Sequence, residues 1–209
     1  MSDTRTQLVR TGYDAIADDY LAWTARIEDD PKVAYVEQLS ALLDDGARVL
    51  ELGCGAGEPC TRILAERFDV TGVDISAEQL GRARARIPNA RFVHADLTTL
   101  ELDPESYDAV VAIYVLNHVP RDLLPGLLDR VAASLVPGGL FLASFGAGDT
   151  PAWTGDWLGT TMFFSSWDAP TNRRLLLEAG FQLAHDELVT IHEPEPDGPA
   201  TFQWVLGRT

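Results

Sequence analysis

Apolar residues recur at steps of four, three, four and three over Val9, Tyr13, Ile16, Tyr20 and Trp23, with Asp14, Asp18 and Asp19 off that stripe. The spacing predicts an amphipathic helix over residues 5–24. After the break at Asp29, Asp30 and Pro31, Val33, Val36, Leu39 and Leu43 continue at helical spacing until Asp44-Asp45-Gly46. The rhythm then changes. Val49, Leu50 and Leu52 form a short apolar run of the kind expected for a strand buried on both faces, and it ends in Gly53, Gly55 and Gly57. A helix is predicted from near Glu58, with Ile63 and Leu64 on one side and Arg62, Glu66 and Arg67 on the other. A second strand, residues 69–73, closes on Asp74.

The same alternation continues. Ser76 stands three residues before Gln79, a capping-box spacing that opens a helix running to Ile87, and residues 91–95 make a third strand. Residues 107–113 are a nearly continuous apolar strand, suited to a central parallel position. Leu123, Leu124, Leu127, Leu128, Val131 and Leu135 mark a helix face that stops at residues 136–139, before a fifth strand at 140–145. Asp168 can cap a last helix, with Pro170 in its first turn and Gly180 at its end. Strands at 181–191 and 201–206 follow, around a turn-rich stretch at residues 193–199. Alternating strands and helices predict an α/β fold with a mostly parallel sheet.

The stretch at residues 48–74 carries the chemistry. A turn without Cβ atoms lets backbone approach a ligand, and the helix start behind it directs free N–H groups there. Asp74 follows Gly53 by 21 residues, at the end of the neighbouring strand, where a carboxylate can accept both hydroxyls of a ribose. A dinucleotide fingerprint would place glycine where Glu58 stands. A pyrophosphate sits poorly beside Glu51 and Glu58, whereas a ribose joined to a zwitterionic amino acid and a sulfonium sits well.

The phrases VLELGCGAGEPC and GVDIS, with LNHVPRDLLPGLLDRVAASLVPGGLFLASF further on and YDAIADDYLAW ahead, resemble class I S-adenosylmethionine-dependent methyltransferases over residues 8–145. The resemblance implies a Rossmann-like three-layer αβα sandwich whose seven-stranded, mostly parallel sheet ends in an antiparallel hairpin. It implies one domain, with a helical cap at 1–45, a cofactor-binding core at 46–146, an aromatic lid or loop at 147–167 and a final helix and hairpin at 168–209. It also implies S-adenosyl-L-methionine as cofactor, with S-adenosyl-L-homocysteine as product. Its contacts would be Tyr13, Tyr20, Glu51, Gly53, Cys54, Gly55, Gly57, Asp74, Ile75, Asp96, Leu97 and Tyr114, with Asp96 on the adenine amino group and Ile75 against the ring.

Composition narrows the partners. Thirty-two acids against 16 bases give a formal charge of −16, and the bases form no stripe, so nucleic acid and anionic membranes are not expected partners. The expectation is a small-molecule substrate and a cytoplasmic monomer or homodimer. The segment from Met1 has no signal-length apolar stretch, and no run of about 18 apolar residues occurs. Cys54 and Cys60 have neither zinc-site spacing nor a disulfide framework, so reduced packing thiols and no metal are expected.

Residues 146–167 hold three tryptophans and two phenylalanines among glycines and threonines, which fits a loop or lid over substrate; the same rings could equally pack on the sheet edge. Tyr13, His118, Trp153 and Trp157 are the candidate substrate-lining residues, with Tyr114 a candidate by position. His118, after the fourth strand, is the candidate catalytic base or else a structural histidine. His94 reads as a packing residue, and His185 and His192 have only position in their favour. The expected reaction is methyl transfer to a small molecule, with oxygen the first acceptor, nitrogen second and carbon third. A nicotinamide-dependent oxidoreductase is opposed by Glu58, and a non-catalytic cofactor-binding protein would carry the same acids.

Overall fold

The period-two runs become strands because each has two apolar faces to bury. In the computed structural model, which describes residues 3–194 and 197–209, β1 (Arg48–Leu52) sends Leu50 and Leu52 to one side and Val49 to the other, all essentially inaccessible to water. Its neighbours are β2 (Asp69–Asp74) and β4 (Tyr107–Ala112), both parallel to it. Outside these lie β3 (Arg91–His94), parallel to β2, and β5 (Leu135–Gly146), parallel to β4. The last two strands, β8 (Gln182–Glu193) and β9 (Gly198–Arg208), run antiparallel, giving a seven-stranded sheet in the order β3-β2-β1-β4-β5-β9-β8. Part of the turn expected at residues 193–199, Glu195 and Pro196, lies outside the described residues.

Helices cover both faces. α6 (Leu124–Ser134) and α7 (Ala169–Glu178) place Leu127, Leu128, Val131 and Leu176 against Leu50, Val110 and Phe141. On the other face, α3 (Lys32–Ser40) and α4 (Cys60–Ala65) bring Val36, Leu39 and Leu64 against Val49, Val111 and Trp204. This three-layer arrangement is the α/β fold expected. The strand order reverses between β1 and β4, which is where an open parallel sheet leaves a crevice at its carboxyl edge.

Several local expectations meet their physical reasons here. Ser76 accepts the Gln79 N–H at 3.1 Å and starts α5 (Ala77–Arg86), and Asp168 accepts the Thr171 N–H at 3.0 Å and starts α7. Only half of the capping box forms, because the Ser76 N–H is taken by Asp74 at 2.8 Å and not by Gln79. The helix expected near Glu58 begins at Cys60, since Pro59 occupies the cap position.

Two elements differ more. The single helix expected over residues 5–24 is broken at Ile16 into α1 (Thr4–Ala15) and α2 (Ala17–Thr24). The break turns Tyr20 onto Tyr13, whose rings meet edge to face at 5.1 Å. The aromatic segment at 147–167 is no irregular loop. It is a two-stranded hairpin, β6 (Thr150–Trp157) and β7 (Thr160–Ser166), in which Met162 and Phe163 of β7 pack against Val9 and Ile16 of the N-terminal helices. Its strand signal is hidden in the sequence by Thr, Gly and Asp on an outer face open to water, which erase the apolar run.

The helix-on-sheet packing carries the stability, so Leu127→Ala, at a position with no solvent exposure, is expected to cost about 2–5 kcal/mol in urea unfolding. A loss below about 1 kcal/mol would show that α6 is not packed as described.

Candidate functional site

The β1–α4 turn is built by backbone. The N–H groups of Gly53 and Cys54 both donate to the Val73 carbonyl, at 2.7 and 3.0 Å, which folds the chain back over the end of β2. Gly53 has φ +70°, and a Cβ there would stand 2.3 Å from the Val115 side chain, so glycine is needed both for backbone and for the approach of the segment after β4. Gly55, at φ +53°, faces open space on the cleft side.

Asp74 locks this turn. One carboxylate oxygen accepts the Gly55 N–H and the other the Ser76 N–H, both at 2.8 Å, so a single side chain ties the glycine turn to the start of α5. Burial pushes its carboxyl up, opposed by those backbone N–H groups. A carboxylate has about four lone-pair sites, which leaves acceptor capacity for further hydroxyl groups.

Around Asp74 lies a cleft of about 1090 Å³, open mouth included, at the carboxyl ends of β1, β2 and β4. Of the residues expected to meet a cofactor, Tyr13, Tyr20, Glu51, Gly53, Cys54, Gly55, Asp74, Ile75, Asp96, Leu97 and Tyr114 line it. Gly57 does not line it, and the space beside Gly57 is filled by Ile87 of α5, 2.5 Å from where a Cβ would sit.

Ile75, Leu97 and Asp96 border the β2–β3 side. Asp96 accepts the Thr98 N–H and hydroxyl through one oxygen, at 2.9 and 2.7 Å. At the turn itself, Glu51 is buried and accepts the Thr61 hydroxyl, and burial pushes its carboxyl up to about 7. On the β4 side, the Tyr114 hydroxyl donates to Asp30 at 2.9 Å and Lys32 pairs with the same carboxylate at 2.8 Å. Tyr114 holds φ +55°, with its N–H donated to Ser144 Oγ at 2.7 Å. Burial pushes the Cys54 and Cys60 thiols up, which makes both unreactive at neutral pH.

His118 sits in a short 3₁₀ turn (Leu116–His118) after β4 and is buried. Its Nδ1–H donates to the Phe163 carbonyl at 3.0 Å, which leaves Nε2 as the acceptor of the Tyr13 hydroxyl at 2.8 Å. Burial pushes the imidazole down to about 4, so it is neutral at physiological pH, and the Tyr13 and Tyr20 phenols are pushed up by the same cause. Hairpin strand β7 therefore fixes the tautomer, and helix α1 supplies the proton donor.

The two tryptophans expected to line the substrate do not reach the cleft. Trp157 stands behind it, edge-on to Tyr13 at 6.1 Å and to Trp23 at 5.4 Å. Trp153 is 43% exposed and packs over Phe164 and Gly155, on the same strand face as Trp157 but farther from the hairpin turn. His94 is exposed on edge strand β3, its Nε2 at 2.9 Å from the Ile75 carbonyl, and is not a packing residue. His185 pairs with Tyr35 and Glu187, and His192 is bridged to Glu28; neither lines the cleft.

Sequence reasoning missed Lys32, Gln79, Thr6, Val9, Val115 and Val119, all of which line the cleft. Gln79 read as a cap partner, yet both ends of its buried amide lack a hydrogen-bond partner among the described residues. Lys32 was legible only as a lone base after two acids. Among the described residues, no group of three or more His, Cys, Asp and Glu side chains could hold a metal ion, and no helix is long and apolar enough to cross a membrane.

Residues 49–139 match the family model described as a methyltransferase domain. Over 119 residues the chain is 38% identical to a trans-aconitate 2-methyltransferase of Variovorax paradoxus, a match covering 55% of this chain and 45% of that protein. Over 120 residues it is 37% identical to an uncharacterized methyltransferase of Mycobacterium tuberculosis, covering 56% of this chain and 57% of that one. The chain spans about half the length of the curated relatives it matches. Among solved structures it superposes on DhpI in complex with SAH at a TM-score of 0.76 and 22% identity, covering 100% of this chain and 98% of that one. On the Burkholderia thailandensis 1,6-didemethyltoxoflavin-N1-methyltransferase, solved with bound 1,6-didemethyltoxoflavin and S-adenosylhomocysteine, the TM-score is 0.74 at 22% identity, with coverages of 100% and 91%. At these identities the solved structures speak to the fold alone. The chain thus carries a methyltransferase-domain match over residues 49–139, and its sheet order is the Rossmann-like methyltransferase fold of the solved structures on which it superposes.

Proposed function

We propose that the protein methylates an oxygen atom of a small molecule, with nitrogen the second candidate atom and carbon the third, using S-adenosylmethionine held in the cleft at the β1–β4 crossover. One observation carries the reading: Asp74, which ties the glycine turn to α5, opens on the same cleft as a neutral His118 that accepts a hydrogen bond from Tyr13. The relatives named trans-aconitate 2-methyltransferase support oxygen as the acceptor atom.

The residues present fit the cofactor. Asp74 keeps acceptor capacity for ribose hydroxyls, and Ile75 and Leu97 offer apolar faces for a purine with Asp96 at its edge. Lys32, Asp30 and Glu51 provide both signs of charge for a zwitterionic amino-acid tail. When bound, the cofactor supplies a methyl group already activated as a sulfonium. The protein's own tasks are then to align the acceptor, exclude water and receive a proton. The ring cluster of Tyr13, Tyr20, Trp23 and Trp157 roofs the cleft and serves the first two.

His118 serves the third. An imidazole at about 4 does not ionise a hydroxyl beforehand, since a phenol titrates near 10. It can take the proton only once the oxygen has become far more acidic, by sharing its electron pair with the incoming carbon. Nε2 is the receiving atom, reached directly or through Tyr13 Oη.

Two measurements test this. Calorimetry should show S-adenosylhomocysteine binding to the wild-type chain, and Asp74→Asn should weaken it by about tenfold or more, the loss expected when a buried hydrogen bond to a charged group is spoiled. No binding at high micromolar ligand, or undiminished binding by the variant, overturns the assignment.

The second concerns His118 alone. Its folded-state value lies below the ordinary 6.5, so the unfolded chain binds a proton that the folded chain refuses, and its contribution to stability is full above about 6.5 and falls toward about 4. Compared with His118→Gln, the wild type should lose up to about 3 kcal/mol of relative stability over that window in urea unfolding, and NMR should find the imidazole neutral at pH 6. A ring that titrates near 6.5 would remove the buried neutral base.

A further inference from the structure

The cleft is divided by charge. Its ionic side chains, Lys32, Glu51, Glu58, Asp74 and Asp96, all border the part read above as the cofactor site. The other end, walled by Thr6, Val9, Tyr13, Val115, His118 and Val119, has none among the described residues. The one cation lining the cleft among the described residues, Lys32, is engaged by Asp30 at 2.8 Å. Of the arginines adjoining the uncharged end along the chain, Arg10 donates to the Gln7 amide oxygen at 2.8 Å and does not line the cleft, and the other two are ion-paired. Arg5 pairs with Asp3 at 2.7 Å and with Asp122 at 2.6 Å, and Arg121 pairs with Asp149 at 2.6 Å while its guanidinium lies 3.8 Å from the centre of the Trp167 ring.

A carboxylate entering that end would exchange water for valine methyls and aromatic rings with no cation to meet it. Such a transfer is strongly unfavourable, and the formal charge of −16 adds long-range repulsion. His118 brings no compensating charge, since burial opposes its protonation more strongly than the hydrogen bond to the Phe163 carbonyl favours it.

The same end is well prepared for a neutral hydroxyl. The Tyr13 O–H is given to His118 Nε2 at 2.8 Å, and once the phenol oxygen has accepted from the Tyr20 hydroxyl it keeps one lone pair for an incoming donor. A donor placed there would form a chain from ligand O–H to Tyr13 Oη and from Tyr13 O–H to His118 Nε2. A carboxylate has no proton to donate into this chain and would face the phenol's remaining lone pair.

Resting on the methyltransferase reading above, we infer that the acceptor is an uncharged molecule with an apolar body and an O–H directed at Tyr13 Oη, and that Tyr13 selects it over a carboxylate. The polycarboxylate that names the curated relatives is then the wrong class of acceptor for this chain.

The test uses the full chain saturated with S-adenosylhomocysteine at pH 7 and three probes: 4-ethylphenol, 4-ethylbenzoate and trans-aconitate. By calorimetry or ligand-observed NMR, 4-ethylphenol should bind at least about tenfold more tightly than either carboxylate, a factor worth roughly 1.4 kcal/mol. Tyr13→Phe should erase most of that advantage by weakening 4-ethylphenol and leaving 4-ethylbenzoate where it was. Equal or tighter binding of either carboxylate overturns the inference, and so does undetectable binding of 4-ethylphenol. Because saturation by S-adenosylhomocysteine is measured first, a failed preference in a saturated protein removes the acceptor class alone. Failure to bind S-adenosylhomocysteine removes the methyltransferase reading and this inference with it.

Discussion

Two backbone N–H groups, those of Gly55 and Ser76, converge on the carboxylate of Asp74, and the rest of the site depends on that meeting. The first belongs to the turn after β1 and the second to the start of α5, so one side chain sets the distance between them. Val115 then packs where a Cβ at Gly53 would have stood, which brings the segment after β4, and His118 with it, up to the same crevice. The constraint is electrostatic and steric at once. A buried carboxylate must be hydrogen-bonded, and the donors it meets are backbone groups of a chain that has had to fold tightly to present them.

The roof is a separate assembly held to this frame by few but specific links. Asp14 of α1 accepts the Ser76 hydroxyl at 2.7 Å, and Asp18 of α2 pairs with Arg82 at 2.9 Å, so the N-terminal helices are pinned to α5, the helix that Asp74 also anchors. From the other side, β7 packs Met162 and Phe163 against Val9 and Ile16 and offers the Phe163 carbonyl to His118. The imidazole is thus the point where the frame, the N-terminal helix and the hairpin meet. Its neutral state follows from burial among rings, which outweighs the opposing pull of the Phe163 carbonyl.

Charge is distributed to match. Carboxylates and the lone lysine gather where β1, β2 and β4 end, and the far end of the cleft is aromatic and aliphatic. The surface acidity, which as composition says little beyond solubility, gains meaning only next to this partition: no excess cation remains to draw an anionic acceptor inward.

How much of this was legible follows from the range of the interactions involved. The order of strands and helices, the glycine turn, the Ser76 and Asp168 caps and the position of Asp74 are all set within about twenty residues of chain, by burial periodicity and local hydrogen bonds, and they stand in the sequence nearly as they stand in the fold. The break at Ile16, the hairpin at residues 150–166 and the exposure of Trp153 away from the cleft were not legible. Each is decided by a partner far along the chain: Tyr20 swings onto Tyr13 because α1 is pinned to α5, and β6 and β7 hold together over a roof the sequence cannot locate. The pairing of Tyr13 with His118, across 105 residues, is of the same kind. Local patterning by itself determined the sheet, its crevice and the acid that guards it. Tertiary packing alone decided which side chains face into that crevice and which proton lies on which nitrogen, because those depend on contacts that exist only once both ends of the chain have closed over the sheet.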